Sequence, residues 1–224
     1  MKLPVIFEDI ELSIPDDTEI YNPAEDTYLL LNMVKDFFLT DPILIRKISQ
    51  KTILEMGTGS GIGCLYLCRY CKEMHSIDIN FNASRFLQQQ SSKMALTHKI
   101  SSINGDLLSW HRIGNQHKYF IAFFNPPYLP LESGEKSEFN STREMKDGDR
   151  ALYSEEGGFK VLKSFLTQLV SHLEPEGHVF FVYSSLTNIG EISEWLSNLG
   201  YLFVEKRELH IFFETIYAIH AKLK

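Results

Sequence analysis

No apolar run in this 224-residue sequence approaches the length, about 18 residues, that a helix needs to cross a membrane. The first nine residues, Met1 to Asp9, also lack the long apolar region of a secretory signal peptide. These absences predict a soluble, cytoplasmic protein, with nuclear presence left open. At this length and with 44% hydrophobic residues, we expect a single domain, residues 1–224, with a full hydrophobic core.

Basic residues are scarce: 22 lysines and arginines stand against 29 acids, the net charge is −7, and no basic cluster occurs. Phosphate contacts need a basic surface, so this balance disfavours nucleic acid as the main partner. Cysteine is scarce too, with only Cys64, Cys68 and Cys71, spaced along one helical face. A zinc site would need a fourth ligand, and disulfides are rare inside cells, so we expect buried free thiols and no metal site.

A glycine-rich segment, residues 57–63, follows a predicted strand at residues 52–56 and precedes a predicted helix. Glycines at such a turn let the backbone approach a ligand closely. A second predicted strand ends in Asp78, 21 residues after Gly57, the offset at which an acid reaches a ribose diol. No Lys-Ser or Lys-Thr pair follows the glycines, which excludes the phosphate-binding loop of nucleoside triphosphatases. The pattern predicts a nucleoside-cofactor site.

The third predicted strand is followed by Asp106 and Leu107. An acid at this position can accept a hydrogen bond from an adenine amino group, and the leucine can pack against the ring. A simple Asx-turn explains the same residues equally well.

The fourth predicted strand, residues 119–124, ends at Asn125-Pro126-Pro127-Tyr128. The prolines fix the local backbone and restrict the residue before them. The Asn125 side-chain oxygen and the Pro126 carbonyl then offer two acceptors beside the flat Tyr128 ring, an arrangement that suits a planar amide or amino group. The plain alternative is a strand-to-loop turn with a chance sequence.

Alternating strands and helices predict an α/β doubly wound sheet whose ligands bind beyond the carboxyl ends of the strands. Residues 1–20 are predicted to be irregular, and residues 174–177 to form a turn. Residues 129–150 lack periodicity and are predicted to form a mobile substrate lid. The predicted strands are residues 52–56, 74–78, 100–104, 119–124, 178–183, 201–207 and 211–221.

With these motifs in order, the sequence resembles the class I S-adenosylmethionine-dependent methyltransferases. Within them it is similar to the short eukaryotic and archaeal form of the HemK-like (PrmC-like) glutamine methyltransferases of translation release factors. Residues 55–61 match the cofactor loop, residues 125–128 the amino-methylation motif, and residues 23–27 the start of the N-terminal helix. The resemblance extends from Tyr21 to the terminal strands, and it implies a mostly parallel seven-stranded sheet with the last strand antiparallel.

The resemblance also implies S-adenosyl-L-methionine as the cofactor and the glutamine of a Gly-Gly-Gln loop in a class 1 release factor as the substrate. It implies a small zinc-binding activator protein as an obligate subunit. The implied catalytic residues are Asn125, Pro126 and Tyr128. The implied cofactor-binding residues are Thr27, Glu55, Gly57, Gly59, Asp78, Asp106, Leu107 and Asn125.

Several other functions remain open on the residues alone. The tetrapeptide at Asn125 also suits exocyclic amino groups of adenine or guanine in nucleic acid, and a protein lysine is a further target. A catalytically silent nucleoside-binding scaffold and a nicotinamide-dependent oxidoreductase are the rivals from other classes, but neither gives the tetrapeptide a role.

Overall fold

The structure is a computed structural model that describes residues 4–16, 18–109, 118–130, 151–154, 158–187 and 192–224. Its helices are α1 (Glu25–Leu39), α2 (Pro42–Ile48), α3 (Ile62–Leu67), α4 (Phe81–Lys93), α5 (Lys160–Leu169) and α6 (Ile192–Asn198). Its strands are β1 (Val5–Phe7), β2 (Ile10–Leu12), β3 (Thr52–Met56), β4 (Glu73–Asp78), β5 (Ile100–Asn104), β6 (Tyr119–Phe124), β7 (Leu129–Pro130), β8 (Tyr153–Ser154), β9 (Leu173–Ser184), β10 (Tyr201–Ile211) and β11 (Glu214–Leu223).

In the part of the chain that the structure describes, seven strands form one sheet in the order β10-β11-β9-β6-β3-β4-β5. The pairs from β5 to β9 are parallel, whereas β11 runs antiparallel to both β9 and β10. This confirms the predicted doubly wound sheet with an antiparallel last strand. Strand order reverses between β3 and β6, and a ligand crevice is expected at that point.

The central strands β3, β4, β6 and β9 are mostly buried on both faces, whereas most residues of the edge strand β10 are exposed. Residues of α1, α3 and α4 pack with one side of the central strands, and residues of α5 and α6 pack with the other. Every residue of β6 is buried. The strand that delivers Asn125 is therefore held rigidly from both sides.

The predicted turn at residues 174–177 lies inside β9 instead. Tyr119 pairs with Leu173, and after a register shift Ile121 pairs with His178, so the four intervening residues form an irregularity in a continuous strand. Glu176 has a positive φ of 61°, consistent with a local bulge. The prediction of a separate turn is therefore wrong, because residues 174–177 belong to β9.

The prediction that residues 1–20 are irregular is wrong for residues 5–12. Here β1 and β2 pair as an antiparallel hairpin. Val5, Phe7, Ile10 and Leu12 are buried, while the residues between them on each strand are exposed. This alternation is a strand signal that the neighbouring prolines and acids obscured.

The three cysteines are free and buried, as predicted. Among the described residues no helix is long and apolar enough to cross a membrane. The predicted lid falls mostly on residues 131–150, which lie outside the described residues.

The N-terminal hairpin should contribute measurably to stability. The Phe7 ring meets the Tyr66 ring edge-on at 5.0 Å between centroids. Phe7→Ala should therefore lower the free energy of unfolding by about 3 kcal/mol, because it removes a buried aromatic side chain. Urea denaturation measures this, with Ile6→Ala as the control, since Ile6 on the same strand is 53% exposed. Equal small effects of both substitutions would mean that the hairpin adds nothing to the core.

Candidate active site

A cavity of about 630 Å³ opens beyond the carboxyl ends of the central strands. Its volume lies in the range of small-molecule sites. All ten residues that the sequence singled out line this one cavity, although they come from five separate segments of the chain. They are Thr27, Glu55, Gly57, Gly59, Asp78, Asp106, Leu107, Asn125, Pro126 and Tyr128.

The loop between β3 and α3 depends on glycine at two positions. Gly57 and Gly61 have φ values of 69° and 74°, in the left-handed region. A Cβ atom at Gly57 would lie 2.8 Å from the Phe124 ring, and one at Gly61 would lie 2.8 Å from a Leu87 methyl carbon. The loop is thus pressed against β6 and α4, and its backbone forms one wall of the cavity.

Asp78 holds this loop and the next helix together. One carboxylate oxygen accepts from the Gly59 N–H at 2.8 Å, and the other accepts from the Asn80 N–H at 2.8 Å. The Asn80 side chain in turn caps α4 by accepting from the Asn82 N–H at 2.8 Å. Asp78 thus fixes the geometry of the loop at the tip of β4.

Glu55 lies buried beneath the glycine-rich loop. Ser76 Oγ donates to its carboxylate at 2.6 Å, and Thr58 Oγ1 lies 2.8 Å from the same Ser76 oxygen. Burial is the main cause that raises the pKa of Glu55 to about 8, and the Ser76 hydrogen bond opposes it in part. The carboxyl group is therefore largely protonated at neutral pH.

Asp26, at the start of α1, accepts hydrogen bonds from two tyrosine hydroxyls of the site. It is only 3% exposed. Its carboxylate accepts from the Tyr128 hydroxyl at 2.9 Å, the Tyr21 hydroxyl at 2.9 Å and the Thr27 N–H at 2.6 Å. Burial first, and then the Asp26 charge, raise the pKa of both tyrosines far above its usual value, so both phenols remain donors.

The orientation of the Asn125 amide follows from this network. The Thr27 hydroxyl donates to Asp26 at 3.2 Å, so its oxygen is left to accept, and Asn125 Nδ2 donates to it at 3.0 Å. The amide oxygen must then point the other way. Asn125 Oδ1 is buried and has no hydrogen-bond partner among the described residues. Such an unpaired acceptor costs about 1–3 kcal/mol and is typical of functional sites.

Sequence reasoning missed the importance of Asp26 and Tyr21. Asp26 lies in the first turn of α1, where any acid interacts favourably with the helix N-terminus, so its position alone does not indicate a function. Its link to Tyr128 joins residues 102 positions apart, so no local pattern reveals it. The only available signal was the match of residues 23–27 to the family's helix start.

Asp106 and Leu107 form the outer part of the cavity wall. Asp106 is exposed and Leu107 is half-buried with a positive φ of 50°. The turn closes through the Ser109 N–H, which donates to the Asp106 carbonyl at 3.2 Å. In an Asx-turn the Asp106 carboxylate would accept from the Leu108 N–H, but that N–H donates to Gln168 Oε1 at 3.0 Å, so the Asx-turn alternative loses its support.

Comparison with known proteins gives relatives along most of the chain. A family model described as conserved hypothetical protein 95 matches residues 33–141. A candidate protein N5-glutamine methyltransferase of Methanocaldococcus jannaschii is 27% identical over 205 residues, 91% of each chain. The eRF1 methyltransferase catalytic subunit of Schizosaccharomyces pombe is 26% identical over 212 residues, 86% of this chain and 84% of that one. Over most of its length the chain is therefore similar to proteins named as glutamine or eRF1 methyltransferases.

Solved structures agree with this relationship at the level of the fold. The Mtq2–Trm112 complex of E. cuniculi, responsible for methylation of the eRF1 termination factor, has a chain that superposes with a TM-score of 0.63 at 20% identity, covering 92% of this chain and 99% of that one. The N-methyltransferase NodS of Bradyrhizobium japonicum, solved with S-adenosyl-L-homocysteine, superposes with a TM-score of 0.57 at 15% identity, covering 93% of this chain and 89% of that one. The fold is that of the class I methyltransferases.

The raised pKa of Glu55 predicts a pH-dependent stability. In the unfolded chain this carboxyl loses its proton near pH 4.3, whereas the folded chain keeps it until about pH 8. Between these values the unfolded state binds fewer protons, so stability falls as pH rises. Glu55→Gln replaces the ionisable carboxyl with a neutral amide, so this contribution to the pH dependence of stability is lost.

From pH 5.5 to pH 7.5 the free energy of unfolding of the wild type should therefore fall by about 1–3 kcal/mol relative to that of Glu55→Gln, as measured by urea denaturation. Glu11→Gln, on the exposed face of β2, is the control and should follow the wild type at both pH values. Identical pH dependence in the wild type and Glu55→Gln would show that Glu55 ionises normally.

Proposed function

We propose that this chain transfers a methyl group from S-adenosyl-L-methionine to the side-chain amide of the glutamine in the Gly-Gly-Gln loop of a class 1 translation release factor. The observation that carries the proposal is the buried, unpaired Asn125 Oδ1, held in one orientation beside the Tyr128 ring. A buried acceptor held in this orientation is placed to accept a hydrogen bond from the N–H group of a substrate. The names of the two curated relatives support the choice of an amide and of a release factor.

The cavity fits the proposed cofactor. Its glycine-rich wall has no room for a side chain at Gly57, and Asp78 stands at the tip of β4, where an acid can reach a ribose diol. We propose that Asp106 and Leu107 hold the adenine, and that Glu55, Gly59, Thr27 and Asn125 hold the remainder. When bound, S-adenosyl-L-methionine would supply the methyl group as a strongly electrophilic sulfonium.

The residues of the chain then supply position and charge stabilisation. Asn125 Oδ1 and the Pro126 carbonyl would each accept one N–H of the target amide, which aims its nitrogen at the cofactor. Both oxygens would also stabilise the positive charge that develops on that nitrogen. Tyr128 would stack on the flat amide, and its bond to Asp26 keeps the ring in place. The target nitrogen becomes acidic as it is methylated, so its proton can leave to water afterwards.

We further propose that the chain is the catalytic subunit of a heterodimer with a small zinc-binding activator protein, and that it acts in the cytoplasm as a single domain. The activator proposal is supported by the composition of the E. cuniculi complex, whose catalytic chain covers 92% of this one. Residues 129–150 are proposed to close over the substrate.

Mass spectrometry of an intact release factor tests the reaction. The factor is incubated with this chain, with or without the activator, and with isotopically labelled S-adenosyl-L-methionine. One methyl group on the loop glutamine is expected. Label on RNA, DNA or a lysine, with none on the loop glutamine, would replace the proposal with one of its rivals.

Asn125→Ala separates catalysis from cofactor binding. Loss of the acceptor should lower kcat by about a hundredfold or more, since removing a preorganised group that stabilises developing charge has effects of this size. Because Asn125 is only one of several residues proposed to hold the cofactor, the dissociation constant for S-adenosyl-L-homocysteine, from calorimetry, should change by less than about threefold. Parallel losses of turnover and of cofactor affinity would contradict the assigned role.

Asp78→Asn should give the opposite result. The amide keeps one acceptor but cannot accept from both backbone N–H groups and a ribose diol. Affinity for S-adenosyl-L-homocysteine should fall about tenfold or more, while kcat at saturating cofactor stays within a few-fold of the wild type. Unchanged affinity would remove Asp78 from the cofactor site.

A further inference from the structure

Two phenylalanines form the tip of the hairpin that joins β10 to β11. Ile211 pairs with Glu214, so Phe212 and Phe213 are the two loop residues. Each of them is 99% exposed. Adjacent aromatic side chains that leave all of their surface in water are unusual, and exposed apolar patches mark interaction sites.

Folding explains neither residue. Two-residue hairpin loops favour Asn-Gly and related pairs, because at least one residue must adopt a positive φ. Phe212 has a φ of 46°, a region that is unfavourable for a bulky side chain. A polar pair would suit this turn better, so the two phenylalanine rings do not contribute to the stability of the fold.

The hairpin tip lies on the same edge of the sheet as the candidate active site, because β10 and β9 both run toward that edge. Beside the tip, the Ser185 N–H donates to the Thr215 carbonyl at 2.8 Å. Two residues later, Thr187 Oγ1 donates to the Tyr128 carbonyl at 3.0 Å. A short chain of hydrogen bonds therefore connects the hairpin to the motif that contains Asn125.

Two further contacts place the tip near the site. Glu214, which follows Phe213, accepts a hydrogen bond from Ser184 Oγ. Its charge is among the lesser causes, after burial and Asp26, that raise the pKa of Tyr128. Leu186, which precedes Thr187, the residue that donates to the Tyr128 carbonyl, is 50% exposed. We call Leu186, Phe212 and Phe213 the rim patch.

We propose that the rim patch is a docking surface for the folded protein that carries the target glutamine. This inference rests on the proposed function and extends it from the reacting amide to the protein around it. To reach Asn125, a glutamine on a protein loop must bring its parent domain over this edge of the sheet. A typical interface covers about 800 Å² on each partner, and aromatic residues provide its strongest contacts.

Charge disfavours a second copy of this chain as the occupant. Each copy carries a net charge of −7, so two copies repel one another.

The double variant F212N/F213G tests the proposal in the complex with the activator. It introduces the pair that a two-residue hairpin favours, so its melting temperature should equal or exceed that of the wild type. With intact release factor, KM should rise about tenfold or more, while kcat and the KM for S-adenosyl-L-methionine stay within twofold. L202S is the control, since Leu202 is 51% exposed at the opposite end of β10, and it should match the wild type.

Three results would overturn the docking surface. They are an unchanged KM for the release factor in F212N/F213G, loss of the activator on copurification of that variant, and wild-type self-association that the variant abolishes in sedimentation. The last two would assign the rim patch to the activator or to a second copy. Failure of the wild type itself to modify the factor overturns the proposed function instead, and the docking partner with it.

Discussion

The hydrogen bonds that converge on Asp26 are the constraint on which the candidate active site depends. They connect the first helix of the chain to the end of the central strand β6, so the two segments can occupy only one relative position. Through Thr27 they decide which atom of the Asn125 amide is free, and through Tyr128 they fix the ring beside it. Each of these donors replaces a water that burial removed from the Asp26 carboxylate.

The cofactor half of the cavity is organised differently, around backbone groups. The glycine-rich loop is shaped by contacts that exclude side chains, and Asp78 links it to the start of α4. Glu55 lies beneath the loop in a neutral form that burial enforces. One half of the site thus presents a fixed polar acceptor, and the other presents main-chain surface and an acid at its edge. This division matches a reaction between two bound molecules.

Two features of the structure oppose stability, and both lie at the same edge of the sheet. One is the buried acceptor of Asn125 without a donor among the described residues, and the other is the exposed pair at the β10–β11 turn. Local preference favours other residues at the turn and a satisfied partner at the acceptor. Deviations of this kind are expected where function, rather than folding, selects the residue.

The sequence by itself determined the seven strands of the main sheet, their mainly parallel arrangement and the residues at their ends. Apolar runs and glycines are local signals, and parallel strands necessarily bring their carboxyl ends to one edge, so Gly57, Asp78, Asp106 and Asn125 could be placed together without coordinates. The tertiary structure decided the partners of Asp26, the burial of the β1–β2 hairpin and the place of Phe212 near the site. Each depends on contacts between residues far apart in the chain, whose energies no local pattern contains.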